Sequence, residues 1–254
     1  MTELFLESLA DPYEQLSLAL TNLEYSEEPL LIRSGLNLMD LAGWHNYLKN
    51  HGAFQEDRRH FDSDSHVKLA DWWEISYQPE RASSYAYSKT RQPLHSDNAW
   101  FSDPAEINLF LMAKQAKSGG NQTIYTLTRL LEDLASDEPG LLDELLNTQV
   151  VIRKGEGFGK NVTTILVSKG NTPRCYWNYY RTDKSDPSIN KMCNRFFRFL
   201  EKQESTTSVT RLHCATGDCM AFNDSLILHG RDAFEAYHPY DRIMYQSMWK
   251  MVPV

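Results

Sequence analysis

The sequence predicts a mainly β protein with outer helices, folded as a double-stranded β-helix, the cupin-like jelly roll. Three observations support this prediction: many short runs of strand length, two strong helix-start signals, and no linker or repeat that divides the chain. The strand-like runs are residues 30–32, 72–77, 85–87, 107–113, 149–152, 162–167, 174–180 and 241–252. We therefore expect one domain that spans residues 1–254.

Both helix-start signals are Asp-Pro pairs. An aspartate at the cap accepts backbone N–H groups, and a proline at the first helical position needs no N–H partner. Asp11-Pro12 thus predicts a helix through residues 18–20. Asp186-Pro187 predicts a second helix through residues 196–200. We expect both helices to pack outside the barrel.

The run 241–252 predicts the last strand. Side chains on a strand alternate between its two faces, so Met244, Gln246 and Met248 should share the face of Arg242. We expect that face to look into a pocket.

Composition and charge narrow the class of protein. The chain has 26 basic and 34 acidic residues, a formal net charge of −8 and no basic block, so it lacks the electrostatic footprint of a nucleic-acid-binding protein. No apolar run approaches membrane-spanning length, and residues 1–7 carry acids where a signal peptide has basic residues. We expect a cytoplasmic protein that binds neither nucleic acid nor a membrane.

The four cysteines show no pattern that indicates a metal site or a disulfide framework. They are Cys175, Cys193, Cys214 and Cys219, with no Cys-x-x-Cys spacing. We expect buried thiols, because a free cysteine behaves as a small apolar residue.

A His-x-Asp pair is the strongest functional feature of the sequence. His95 and Asp97 lie two residues apart, so on a strand both side chains can reach the same ion, and His229 follows far downstream. Two imidazoles and one carboxylate can bind one face of Fe(II) and leave coordination positions open for chemistry. An apolar run of strand length, residues 107–113, follows the pair and indicates that it lies next to the core.

A second group of histidines and aspartates lies in a different context. It comprises His60, Asp62, Asp64 and His66 within a polar run of mixed charge. Such runs are typical of solvated loops, so we interpret this group as a loop and not as a metal site.

The motifs that follow the His-x-Asp pair resemble, in their order, the Fe(II)/2-oxoglutarate dioxygenases of the taurine dioxygenase and clavaminate synthase type. The resemblance runs from about Pro93 to Trp249. It rests on His95-x-Asp97, the apolar strand, Gly119-Gly120 with Thr123, Gly217-Asp218, Phe222-Asn223, Leu228-His229-Gly230-Arg231 and Arg242. Each motif alone is modest evidence for the resemblance, but the whole set in this order is specific to the family.

The resemblance implies a role for each matched residue. His95, Asp97 and His229 would hold the iron, and Arg242 would bind the distal carboxylate of 2-oxoglutarate, since a guanidinium stays charged when buried and meets a carboxylate with two hydrogen bonds. Arg231 lies too close to His229 in the chain for that task, so we expect it to brace the strand end or a neighbouring carboxylate.

Thr123 is the expected hydroxyl donor to 2-oxoglutarate, although its spacing departs from the family pattern. Relatives have one residue between Gly-Gly and the threonine, whereas this chain has Asn121 and Gln122. Either a bulge absorbs the extra residue or a neighbour makes the contact. A purely structural role for Thr123 as a β-branched strand residue is equally compatible with the sequence.

The substrate is the part of the function that the sequence defines least. Trp100, Arg181 and Gln246 are the candidate substrate-binding residues, and the uncharged Gln246 stands where some relatives have an arginine that holds a sulfonate or carboxylate. We expect oxidation, first of all hydroxylation, of an unactivated carbon in a small amino-acid-like or natural-product intermediate, with 2-oxoglutarate and O2 converted to succinate and CO2. Desaturation and cyclisation would use the same iron site. The oligomeric state is left open.

Two other classes of protein could carry the same motifs. A zinc-dependent hydrolase could use the two histidines and the aspartate, but it would not need Arg242. A catalytically silent jelly-roll binding module would have lost a ligand, and all three are present. Halogenation would require a small residue in place of Asp97.

Overall fold

A computed structural model describes residues 1–5, 11–59, 68–69, 71–155, 159–169 and 172–252. The strands are β1 (Thr2–Phe5), β2 (Leu30–Arg33), β3 (Phe54–Glu56), β4 (Lys68–Leu69), β5 (Trp72–Ser76), β6 (Gln92–His95), β7 (Ile107–Lys114), β8 (Gln122–Thr126), β9 (Gln149–Arg153), β10 (Lys160–Thr164), β11 (Leu166–Lys169), β12 (Thr172–Cys175), β13 (Thr210–Leu212), β14 (Cys219–Asn223), β15 (Ile227–Arg231) and β16 (Ile243–Met251). The helices are α1 (Pro12–Thr21), α2 (Gly35–Leu38), α3 (Leu41–Asn50), α4 (Leu127–Asp137), α5 (Pro139–Asn147) and α6 (Pro187–Gln203).

Two sheets form the barrel. The larger has the strand order β1-β2-β14-β7-β16-β5-β4, with β3 paired to β16, and the smaller has the order β13-β8-β15-β6. One core cluster contains side chains from both sheets, including Phe110, Phe222 and Met244 from the larger and Ile124 and Ile227 from the smaller. The inner faces of the two sheets therefore pack against each other, as in a jelly roll.

Helices cover the outer faces of both sheets. Leu16 and Leu20 of α1 and Trp44 of α3 pack against the larger sheet. Leu134 of α4 and Phe196 of α6 belong to a cluster with residues of the smaller sheet and of the β11–β12 hairpin. No helix in the described part of the chain is long and apolar enough to cross a membrane.

The two predicted helix starts are confirmed. Asp11 accepts the Glu14 N–H before α1, and Asp186 accepts the Ser188 and Ile189 N–H groups before α6. Both helices bury one face, as expected for helices outside a barrel.

One strand prediction was wrong and two were wrong in part. Residues 85–87 form a 3-10 turn, in which the Tyr87 N–H bonds to the Ser84 carbonyl at 3.0 Å. The run 174–180 is a strand only to Cys175, because the Trp177 carbonyl then accepts the Ser96 N–H instead of continuing the hairpin. The run 162–167 contains two strands, β10 and β11, separated at Ile165.

Two adjacent helices, α4 and α5, were not predicted. Both helices have signals in the sequence. At the start of α4 the Thr126 side chain accepts the Arg129 N–H, and leucines follow at helical spacing at positions 127, 130 and 134. Pro139 occupies the first turn of α5. These helices pack outside the smaller sheet and leave its inner face to the site.

Candidate active site

Strand pairing brings the two predicted histidine ligands together. β15 runs antiparallel to β6 with His229 directly opposite His95, and their ring centroids lie 4.4 Å apart. Asp97 follows β6 by two residues. Residues far apart in the sequence thus become cross-strand neighbours at one end of the smaller sheet.

The three side chains point their ligand atoms at one another. Nε2 of His95 lies 3.4 Å from Oδ1 of Asp97, and Nε2 of His229 lies 3.5 Å from Oδ2. One ligand atom from each of the three residues fits within 4.8 Å of the others. This is the donor set of two imidazole nitrogens and one carboxylate that suits a divalent iron.

The outer nitrogens of both rings face acceptors. Nδ1 of His95 lies 3.0 Å from the Pro93 carbonyl, and Nδ1 of His229 lies 2.8 Å from Oδ1 of Asp224. The second contact is at hydrogen-bonding distance but is not well aligned. Acceptors at Nδ1 favour the tautomer whose Nε2 carries the free lone pair, which is the form that binds a metal. Burial also lowers the pKa of His229 and favours its neutral ring.

Two amides hold the Asp97 carboxylate. Oδ2 accepts from Nε2 of Gln246 at 2.7 Å and from Nδ2 of Asn108 at 3.2 Å, and Gln246 also donates to Asn108 at 2.8 Å. Burial by itself raises the pKa of Asp97, but the two imidazoles and the Gln246 amide outweigh it and the pKa is lowered. The carboxylate is therefore ionised and oriented. Asn108 was not among the predicted residues.

A cavity of about 520 Å³ opens in front of the three side chains. Trp100, Arg181 and Gln246, the candidate substrate-binding residues, all line it. The lining also includes Trp73, Ile75, Ser83, Ser84, Tyr85, Gln92, Asn98, Phe110, Gln122, Lys154, Asn178, Tyr179, Tyr180, Arg231, Met244 and Met248. Met244, Gln246 and Met248 face the cavity as predicted, whereas Arg242, which was predicted to share their face, does not line it.

Arg242 lies behind the inner wall of this cavity and is only 1% exposed. Its Nε donates to Oε1 of Gln115 at 3.2 Å, and its Nη2 lies 3.0 Å from the oxygen of Gln122 in the amide orientation that satisfies both groups. Burial lowers its pKa to about 10, so the guanidinium remains charged at neutral pH. Among the described residues no carboxylate lies at ion-pair distance from it, so a buried cation is left without a protein counter-ion.

Thr123 occupies a different position from the one predicted. Gln122 lines the cavity, whereas Thr123 does not, because successive strand residues point to opposite faces. The Thr123 hydroxyl is buried without a hydrogen-bond partner in the described structure. Gln122, two residues after Gly120, is therefore the residue of this pair that faces the cavity.

Arg231 braces a loop and not a carboxylate. Its Nη2 donates to the carbonyl oxygens of Tyr85, Ser88 and Thr90 at 3.3, 2.8 and 2.9 Å. Burial and the nearby Arg242 lower its pKa to about 9. Arg231 therefore braces the segment before β6, which forms part of the cavity wall, and not the strand end or the carboxylate that the sequence had suggested.

Two other groups of potential ligands differ from this site. His60, Asp62, Asp64 and His66 lie outside the described residues. His45, Glu56 and Asp71 come together near the surface, but the Arg58 guanidinium lies 2.9 Å from Asp71 and 3.7 Å from Glu56 and already supplies positive charge. The four cysteines are buried free thiols, as predicted.

Residues 40–248 match the family described as "Taurine catabolism dioxygenase TauD, TfdA family", and the chain belongs to this family of dioxygenases. No curated protein matches the chain.

Several solved structures with the same fold are of iron-dependent oxygenases. Asparagine oxygenase aligns with a TM-score of 0.69 and 10% identity over 93% of this chain and 78% of its own. OrfP, in complex with Fe and alpha-ketoglutaric acid (2-oxoglutarate), aligns with a TM-score of 0.65 and 14% identity over 97% of this chain and 83% of its own. PvcB from Pseudomonas aeruginosa aligns with a TM-score of 0.65 and 16% identity over 94% of this chain and 81% of its own. The predicted double-stranded β-helix is thereby confirmed.

Proposed function

We propose that this protein is an Fe(II)- and 2-oxoglutarate-dependent oxygenase in which His95, Asp97 and His229 hold the iron. The observation that carries the proposal is the convergence of both Nε2 atoms and the Asp97 carboxylate on one wall of a cavity. The tautomers favoured by the acceptors at Nδ1 and the amides around Asp97 present these donors in the form that a divalent ion needs.

Arg242 and Gln122 would bind the distal carboxylate of 2-oxoglutarate at the inner end of the cavity. The Arg242 guanidinium lacks a carboxylate partner among the described residues, and Gln122 connects it to the cavity. A dianion that enters a buried pocket needs a permanent cation there, because an unpaired charge is costly in a medium of low dielectric. Gln122 takes the position that the sequence had suggested for Thr123.

Bound iron and 2-oxoglutarate would supply the oxidation chemistry, with O2 and 2-oxoglutarate converted to succinate and CO2. The protein's own groups orient the reactants. Asn108 and Gln246 hold the Asp97 carboxylate in one rotamer, and Phe110, Met244 and Met248 give the cavity apolar walls that limit water around the reacting carbon.

The substrate we propose is a small amino-acid-like molecule, oxidised first of all by hydroxylation. Structures of asparagine oxygenase and OrfP contain 3-hydroxyasparagine and (3S)-hydroxy-L-Arg, respectively. In this chain Arg181 and Lys154 line the cavity together with Trp100, and Asp97 is the sole acid among the described lining residues. A substrate carboxylate would therefore pair with Arg181 and Lys154, and its carbon chain would lie along Trp100 toward the iron ligands.

An anaerobic titration tests the proposed function. Fe(II) and 2-oxoglutarate added together should produce a weak visible charge-transfer band, because the bound keto acid would chelate the metal. Asp97→Ala should remove the band. If wild type shows no band, or if zinc supports full turnover without O2, the zinc-dependent hydrolase is the better assignment. The cytoplasmic location expected from the sequence is part of the same proposal.

A further inference from the structure

Asp224 lies directly behind the candidate iron ligands. It belongs to the turn between β14 and β15 and is only 4% exposed. Its own N–H donates to the Glu106 carbonyl at 2.7 Å, which ties the turn to the residue before β7. The main chain of the turn that carries Asp224 is thus fixed next to the start of β7.

The two oxygens of this carboxylate contact two different ligand residues. Oδ1 lies 2.8 Å from Nδ1 of His229, and Oδ2 accepts the backbone N–H of Asp97 at 2.8 Å. One side chain therefore links β15 to the turn after β6, the two segments that carry the ligands. Among the described residues no lysine or arginine lies at ion-pair distance from Asp224, although it is buried beside Asp97.

The contact geometry has two physical consequences. The Asp224 oxygen beside Nδ1 restricts the rotation of the His229 ring and favours the tautomer with a free Nε2 lone pair. An acceptor at the Asp97 N–H fixes the main chain from which that carboxylate projects.

We propose that Asp224 is a positioning residue. It holds two of the three proposed iron ligands, His229 and Asp97, in the orientation that binds the metal, and so sets the affinity of the site for the metal. This inference rests on the proposed iron site. Only a side chain with two acceptor oxygens serves both contacts. An asparagine retains one acceptor, and an alanine retains none.

The test is anaerobic binding of Co(II), a stable substitute for Fe(II), by calorimetry and visible absorption. Relative to wild type, Asp224→Ala should weaken Co(II) binding by about 10- to 100-fold, the usual effect of losing a group that orients a metal ligand. Asp224→Asn should weaken binding by a smaller factor. In both variants the Co(II) absorption bands should shift, because the ligand geometry changes.

Asp218→Asn is the matched control. Asp218 is also a buried carboxylate with several partners, Arg33 at 2.7 Å, the Ser34 N–H at 3.0 Å and the Ala215 N–H at 2.9 Å, but it does not contact the ligands. This variant should lower the melting temperature and leave Co(II) affinity at the wild-type value.

The outcomes separate the inference from the proposed function. Loss of Co(II) binding in Asp97→Ala, with wild-type affinity and spectra in Asp224→Asn, overturns the role of Asp224 and leaves the iron site standing. Should Asp224→Ala fail to fold, the near-isosteric Asp224→Asn decides. Absence of Co(II) binding in wild type defeats both.

Discussion

At the scale of single residues, the site depends on groups that orient charge. Asp97 carries the charge that a divalent ion requires, while Asn108 and Gln246 hold its Oδ2. Removing the charge should therefore affect metal binding much more than the fold, since Asp97 lies at the cavity wall and not within a hydrophobic cluster.

We expect Asp97→Ala to lose most turnover and to keep a melting temperature, measured without metal, close to that of wild type. The carboxylate contributes to the metal site more than to the core. Circular dichroism and 2-oxoglutarate consumption provide the two measurements. Substantial iron-dependent turnover in a folded Asp97→Ala protein would contradict the assignment.

Arg242→Lys should raise the 2-oxoglutarate concentration needed for half-maximal turnover by about tenfold or more. Losing one arm of a charged bidentate pair costs about 1.5 to 3 kcal/mol. Co(II) affinity should be nearly unchanged. Arg231→Lys is the comparison: it should mainly lower the melting temperature, since Arg231 bonds to carbonyl groups of the loop before β6. A reversal of these two results would assign the anchor to Arg231.

Neighbouring residues on β8 give a paired test of the cosubstrate site. Gln122→Ala should raise the KM for 2-oxoglutarate, because Gln122 lines the cavity and contacts Arg242. Thr123→Val should leave that KM unchanged and keep or raise the melting temperature, since it removes a buried hydroxyl without a partner. An increase in KM for Thr123→Val alone would restore the sequence-based assignment.

At the scale of elements, the close pairing of β15 with β6 and β8 places His229. Gly230 makes this pairing possible. A Cβ at this position would come within 2.6 Å of the Gln92 carbonyl oxygen and 2.8 Å of Oγ1 of Thr123. Because one of those contacts is backbone, the strand itself would have to move.

Gly230→Ala should therefore destabilise the protein by about 1 to 3 kcal/mol, the usual range for overpacking, and should weaken Co(II) binding by shifting His229. Gly140→Ala in α5 is the control, because nothing lies within 4 Å of its added Cβ. That variant should be neutral or slightly stabilising. Thermal melts and calorimetry compare the two, and equal behaviour would show that the close approach at Gly230 does not position the ligand.

At the scale of the whole molecule, the two sheets bury a charged site inside a largely apolar shell. Phe110, Phe222 and Ile124 pack beside the ligands, while helices close the outer faces. The proposed metal and cosubstrate sites exist only in this assembled cavity, so binding there should stabilise the folded state against the unfolded chain.

We expect Co(II) with 2-oxoglutarate to raise the melting temperature. A ligand at about 100 times its Kd contributes about 2.7 kcal/mol, or roughly 5 to 10 °C for a chain of this size. Addition of a chelator should reverse the increase. Asp97→Ala should show no increase, and an equal increase in that variant would indicate metal binding elsewhere on the protein.

The sequence by itself determined the chemistry of the proposed ligand set and the general architecture. His95 and Asp97 are two residues apart, His229 lies in a recognisable motif, and the Asp-Pro pairs mark α1 and α6. These are local patterns, and local backbone geometry is sufficient to interpret them. The single domain over residues 1–254 remains a prediction.

Only the tertiary structure decided which neighbours orient those ligands. Asn108, Gln122 and Asp224 have no distinguishing local pattern, and Asn223-Asp224-Ser225 reads simply as a turn between two strands. Their roles depend on strand register, since a shift of one residue exchanges the two faces of a strand, as Gln122 and Thr123 illustrate. Register is set by packing between segments distant in the chain, and for that reason the positions around the proposed iron ligands could not be predicted from the sequence.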